Sequence, residues 1–113
     1  MINRLFVYGT LAPGQSNEHI LSEVQGSWEP ASVKGKRLNV TWGPAAGYPG
    51  VFLHNSDGEV QGLVFTSEDL PAHWARLDAF EGEGYTRTIT TATLQDGSTV
   101  EAYIYQLNAP KAL

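Results

Sequence analysis

The 113-residue sequence predicts an α+β fold whose mainly antiparallel sheet curls into a small twisted β-barrel with flanking short helices. Three observations carry that expectation. Apolar and threonine-rich stretches of strand length recur along the chain, and two Asp-Gly pairs sit between such stretches. Only two stretches read as helix, and both are short. No repeat, low-complexity stretch or linker divides the sequence, so residues 1–113 read as one domain.

The elements follow in chain order. Ile2 to Tyr8 is a short apolar run closed by Gly9, whose length and β-branched and aromatic content favour a buried strand. Asn17 to Val24 reads as a short helix, capped by Ser16 or Asn17, with Ile20, Leu21 and Val24 on one face. Gly26 to Trp42 reads as two strands interrupted near Lys34-Gly35-Lys36, and the glycine- and proline-rich Gly43 to Gly50 as a loop. Val51 to His54 and Val60 to Thr66 flank Asp57-Gly58, and a two-residue turn there would set Phe52 opposite Leu63. Ser67 opens the better-marked helix. Glu68 and Asp69 suit its positive end, Pro71 is tolerated in its first turn, Leu70, Trp74, Leu77 and Phe80 share a face, and Gly82 ends it. Five threonines from Thr86 to Thr93 lead to Asp96-Gly97 and then to Val100, Tyr103 and Tyr105. A two-residue turn in this second hairpin sets Thr90 opposite Tyr103 and Thr88 opposite Tyr105. Trp28, Trp42 and Trp74 read as core or rim packing.

Composition narrows the function classes. Seven lysines and arginines against twelve acidic residues leave a net charge of −5, without the basic surplus that phosphate neutralisation needs, so nucleic-acid binding is not expected. The absence of cysteine removes disulfides, thiol nucleophiles and thiolate metal sites. No signal-peptide pattern is visible in the first thirty residues and nothing approaches about 18 consecutive apolar residues, so the expectation is a cytoplasmic protein without a membrane partner. His19, His54 and His73 lie in different elements at spacings that match no metal motif, and no G-x-S-x-G serine elbow occurs. Gly9 and Gly14 lack the lysine of a phosphate loop and the third glycine of a dinucleotide fingerprint.

Two features remain. Tyr8-Gly9-Thr10-Leu11 ends the first strand, and successive backbone N–H groups in such a glycine turn make a concave anion site, although the same residues also read as a plain structural turn. Glu81 lies between Phe80 and Gly82 as the second helix ends, where the helix field disfavours an anion. Taken alone, Glu81 also reads as a solvated surface glutamate.

The phrases Phe6-Val7-Tyr8-Gly9-Thr10-Leu11, Gly14 through Asn17, Gly47-Tyr48-Pro49-Gly50 and Leu77-Asp78 through Tyr85-Thr86-Arg87 occur in this order. Together they resemble the γ-glutamylcyclotransferase-like family, also called AIG2-like, over essentially the whole chain. The resemblance implies a pocket held by a small β-barrel, a substrate-binding turn at Tyr8, Gly9, Thr10 and Leu11, and Glu81 as catalytic acid/base. Glu81 is preferred to Glu83 because it follows an aromatic residue and precedes a glycine, as the family's pattern requires. Tyr48-Pro49-Gly50 resembles the family's pocket-wall loop and reads equally as an ordinary proline-glycine turn. Tyr85 and Tyr103 are candidates for the lining, with cross-strand packing as the other reading of each. Arg87 reads as half of a surface ion pair with Glu83 or another exposed carboxylate.

The reaction that the resemblance implies needs no cofactor or metal. The α-amine of a γ-glutamyl group attacks its own γ-carbonyl, closing 5-oxoproline and releasing an amine or amino acid. The expected partner is a small-molecule γ-glutamyl substrate and the expected state a monomer. A non-catalytic binding or interaction module of the same fold is the alternative.

Overall fold

The computed structural model describes residues 2–43, 46–53 and 58–108. It contains six strands, β1 (Arg4–Val7), β2 (Ser27–Asn39), β3 (Pro49–Leu53), β4 (Glu59–Thr66), β5 (Tyr85–Leu94) and β6 (Thr99–Leu107). Among the described residues there are two α-helices, α1 (His19–Ser22) and α2 (Trp74–Glu81), and 3-10 turns at Leu70–His73 and Gly82–Gly84 flank α2. The strands run β2-β4-β1-β6-β5, and pairing of Ala31 with Leu94 and of Ser32 with Thr93 closes this five-membered set into a barrel. Every pairing is antiparallel except that of β1 with β6. The predicted mainly antiparallel barrel is the fold observed.

β1 is apolar without alternation because both of its faces are covered. Phe6 joins the cluster of Val33, Val51, Val60, Val64 and Ile104, whereas Leu5 and Val7 pack with Leu21, Leu70, Trp74 and Leu77 from the helical segments. Leu70 and Leu77 are fully buried, and each such side chain contributes about 1.5–3 kcal/mol to docking the α2 segment onto the sheet. Ser67 starts that segment as predicted, accepting the Asp69 N–H on its Oγ at 3.1 Å. Phe80 departs from the predicted apolar face: it is 41% exposed.

Four further sequence readings are corrected. The two strands expected over Gly26 to Trp42 are one, β2, which changes partner at the predicted interruption, pairing with β4 up to Lys34 and with β3 from Gly35. Because this long strand pairs with both β3 and β4, Phe52 faces Lys36 rather than Leu63, and Leu63 faces Pro30 and Val7. His54 and Asp57, and with them the expected Asp57-Gly58 turn, fall outside the described residues. The β5–β6 hairpin closes through three residues instead of two, with the Leu94 N–H donating to the Ser98 carbonyl and Gly97 at φ +87°. That positive φ suits a type I turn followed by a left-handed glycine, and it shifts the register by one, so Tyr103 faces Ile89 and Tyr105 faces Arg87. Finally, α1 is a single turn whose N-cap is Glu18 without a side-chain capping bond, in place of Ser16 or Asn17.

Candidate active site

β1 ends at Val7 and delivers Tyr8 to Leu11 to the edge of a cavity of about 280 Å³. The turn is held from behind. The Gly9 carbonyl accepts the Ala12 N–H at 3.2 Å, and the Thr10 carbonyl accepts the Asn17 N–H at 2.9 Å. Asn17 Nδ2 donates to Thr10 Oγ1 at 2.9 Å, so one asparagine brackets both the backbone and the side chain of Thr10. Leu11 is buried and anchors the turn in the helical core cluster. Among the described residues, the backbone N–H groups of Gly9, Thr10 and Leu11 donate to no protein acceptor, and all three residues line the cavity.

The opposite wall comes from Tyr48 and from Pro49, the first residue of β3. A Cβ at Gly9 would lie 3.1 Å from Pro49 Cγ, so glycine permits the close approach of turn and wall. Tyr85, the first residue of β5, donates its hydroxyl to the Pro49 carbonyl at 2.6 Å and fixes that wall to the sheet. Tyr8 donates its hydroxyl to the Tyr105 carbonyl at 2.7 Å, tying the turn to β6. Tyr48, 53% exposed, and Phe80 border the cavity from the loop and from α2.

Glu81, the last residue of α2, lines the same cavity. It makes no hydrogen bond and no ion pair among the described residues. Removal from water without a counter-charge disfavours the carboxylate, and burial pushes the Glu81 carboxyl up to about 7. The phenols around it move the same way. Burial, together with the charges of Glu81 and Tyr48, pushes Tyr85 up to about 12, and burial above all pushes Tyr8 and Tyr105 well above the usual range. Glu81 is therefore the lining group that changes charge near neutrality, amid hydroxyls that stay protonated. This pattern suits proton exchange with a substrate bound beside free backbone donors.

Of the residues predicted for the site, Tyr8, Gly9, Thr10, Leu11, Tyr48, Pro49, Glu81 and Tyr85 share the cavity. Tyr103 and Gly50 do not line it. Tyr103 packs edge-on to Trp74 with ring centroids 5.0 Å apart, and Gly50 is buried against Leu107. Sequence reasoning missed Asn17, Tyr105 and Phe80 as lining residues. Tyr103 and Tyr105 project from one face of β6, and only the crossing of α2 over that face separates a packing tyrosine from a lining one. Arg87 pairs with a carboxylate as expected, and the carboxylate is Asp78, at 2.9 Å. Among the described residues, no group of three or more histidine, aspartate or glutamate side chains stands at metal-binding distance, and no helix is long and apolar enough to cross a membrane.

The profile of the family described as "Gamma-glutamyl cyclotransferase, AIG2-like" matches residues 5–113. YkqA of Bacillus subtilis (strain 168) is 32% identical over 108 residues, which are 96% of this chain and 36% of YkqA. The chain thus spans little more than a third of that relative. The crystal structure of YkqA superposes with a TM-score of 0.72. An AIG2-like protein from mouse, 23% identical, superposes with a TM-score of 0.70 over 96% of this chain and 80% of its own. A protein from Arabidopsis thaliana solved in solution, 25% identical, reaches 0.71 over 93% of this chain and 61% of its own. The barrel with few short helices is the fold these proteins have in common.

Proposed function

The chain belongs to the gamma-glutamyl cyclotransferase, AIG2-like family, and on that footing we propose that it is a γ-glutamyl cyclotransferase acting on a small-molecule γ-glutamyl amide, with Glu81 as general acid/base. The substrate's α-nitrogen bonds to its γ-carbonyl carbon, the amide C–N bond breaks, and 5-oxoproline and an amine or amino acid leave. The α-ammonium gives up two protons in becoming the ring N–H, and both end on the leaving amine. Glu81 takes the first so that the amine can attack, and returns a proton to the leaving nitrogen, a role worth about 10² to 10⁴ in rate. The cavity holds the substrate folded in its ring-closing shape, where effective molarities reach roughly 10⁵ to 10⁸ M. Backbone N–H groups of Gly9 to Leu11 receive a substrate oxygen, either of the α-carboxylate or of the carbonyl as negative charge builds on it. The reading places Tyr8, Tyr48, Pro49 and Tyr85 around the bound γ-glutamyl group.

One observation carries this reading: a desolvated carboxylate shares a small cavity with backbone donors, and neither has a partner among the described residues. The test is 5-oxoproline release from a panel of γ-glutamyl amines, γ-glutamyl dipeptides and glutathione, run beside Glu81→Gln. Release from at least one member, falling by about 10² or more in the folded variant, is expected. Release that survives Glu81→Gln, or that no member gives, contradicts the reading and favours a binding module of the same fold.

A further inference from the structure

Building on the reading of Glu81 as acid/base, we infer that Arg87, Asp78 and Tyr105 form a positioning clamp that holds the last turn of α2, and Glu81 with it, in the cavity. Arg87 Nε donates to Asp78 Oδ1 at 2.9 Å and Nη2 to Oδ2 at 3.3 Å, the forked geometry that guanidinium and carboxylate share. The Tyr105 hydroxyl donates to the same Oδ1 at 2.7 Å. The guanidinium carbon lies 4.7 Å from the Trp74 ring centroid and 4.5 Å from that of Tyr103, so two aromatic rings also hold it. Trp74 and Asp78 are one turn apart on α2, and Arg87 and Tyr105 are direct partners across β5 and β6. Two adjacent strands therefore grip one stripe of the helix, and that stripe ends three residues before Glu81.

The helix needs such a grip. It has eight residues, no side-chain cap at its start and no basic residue in its last turn, and two turns alone are marginal in water. Glu81, lacking a partner, would recover its hydration by swinging outward. Asp78 opposes this at both of its ends, because its carboxylate is clamped and its carbonyl accepts the Gly82 N–H that closes the turn. The groups that share the cavity with Glu81 are Tyr8 from the end of β1, Tyr48 from the loop before β3, Tyr85 from β5 and Tyr105 from β6. Asp78 matches the charge of Arg87. The clamp thus fixes Glu81 in place without offering it a counter-ion.

Tyr105→Phe, which removes one hydroxyl and no charge, is the cleanest test. It is expected to lower kcat for 5-oxoproline release about tenfold. KM should stay within about twofold, since the loss is felt in the reacting geometry rather than in substrate binding. The acid limb of its pH–rate profile should move to lower pH, as Glu81 regains water. Arg87→Met should lower kcat by on the order of 10²-fold, and Arg87→Lys should restore only part, because an ammonium neither forks nor stacks. Ser67→Ala, at the far end of the same helical segment, loosens the fold as a control and should leave the limb where it was. Wild-type kcat and an unmoved limb in folded Tyr105→Phe would overturn the clamp, even while Glu81→Gln stays inactive and the reading of Glu81 stands. Should Arg87→Met fail to fold, Tyr105→Phe still decides.

Discussion

Asp78 and Glu81 are three residues apart on one short helix, and the fold gives them opposite environments. Asp78 is on the sheet side, its side chain 44% exposed, yet Arg87 and Tyr105 occupy both of its oxygens. Desolvation works against its charge, but the hydrogen bonds from Arg87 and Tyr105 and the charge of Arg87 outweigh it, holding the carboxyl below its usual 3.8. Glu81 is the more buried of the two and has no partner among the described residues, and desolvation raises it from its usual 4.5 to about 7. The same functional group becomes a fixed structural anion at one position and a group ready to exchange a proton at the next turn. The difference lies in who supplies the hydrogen bonds, and on the proposed reading it separates the residue that positions from the residue that reacts.

The largest expected effect on stability comes from breaking the Glu81 side of the comparison. Between pH 4.5 and about 7 the folded Glu81 retains a proton that the unfolded chain has lost, so stability falls as pH rises through that window. Above it the cost is complete, at about 3 kcal/mol. Glu81→Gln should therefore raise the unfolding temperature at pH 8 while lowering activity by about 10²-fold or more, and the gain should vanish below pH 4.5. Thermal unfolding of both proteins across pH checks this.

A smaller effect, of opposite sign, comes from the other carboxylate. Asp78 contributes stability above its unfolded value of 3.8, and that contribution is lost as pH falls further. Its exposure limits the gain, so Asp78→Asn should destabilise by about 1 kcal/mol at neutral pH. Denaturant melts should show the difference between the two proteins shrinking in high salt and below pH 4. The smallest effect leaves both carboxylates alone. In Gly9→Ala the added methyl meets Pro49 Cγ at 3.1 Å, and the cavity wall must yield by a few tenths of an ångström. A stability change under about 1 kcal/mol is expected, and a raised KM with little change in kcat would separate wall from clamp.

Much of this arrangement is legible in the sequence. The apolar run of β1, the Ser67 start and Gly82 end of the helical segment, and the turn at Tyr8 to Leu11 all rest on local signals, and each reappears in the fold. What failed depended on partners far along the chain. Two-residue turn geometry put Thr88 opposite Tyr105. The three-residue turn puts Arg87 there instead, and the clamp exists only in that register. Asn17 carries the composition of a helix cap, but its amide is taken by Thr10 seven residues earlier. Tyr103 and Tyr105 look alike on their strand until α2 crosses above them. The turn that borders the cavity was readable, whereas the contacts that hold the α2 carboxylates were not.

The division of labour between the two carboxylates can be measured without any substrate. A carbon-13 NMR titration of the side-chain carboxyls, assigned with Glu81→Gln and Asp78→Asn, follows both groups in one sample. The account predicts that Glu81 titrates near 7 while Asp78 stays ionised to below 3.8. Coincident midpoints in the ordinary carboxylate range would contradict it, because Glu81 would then be a hydrated surface glutamate.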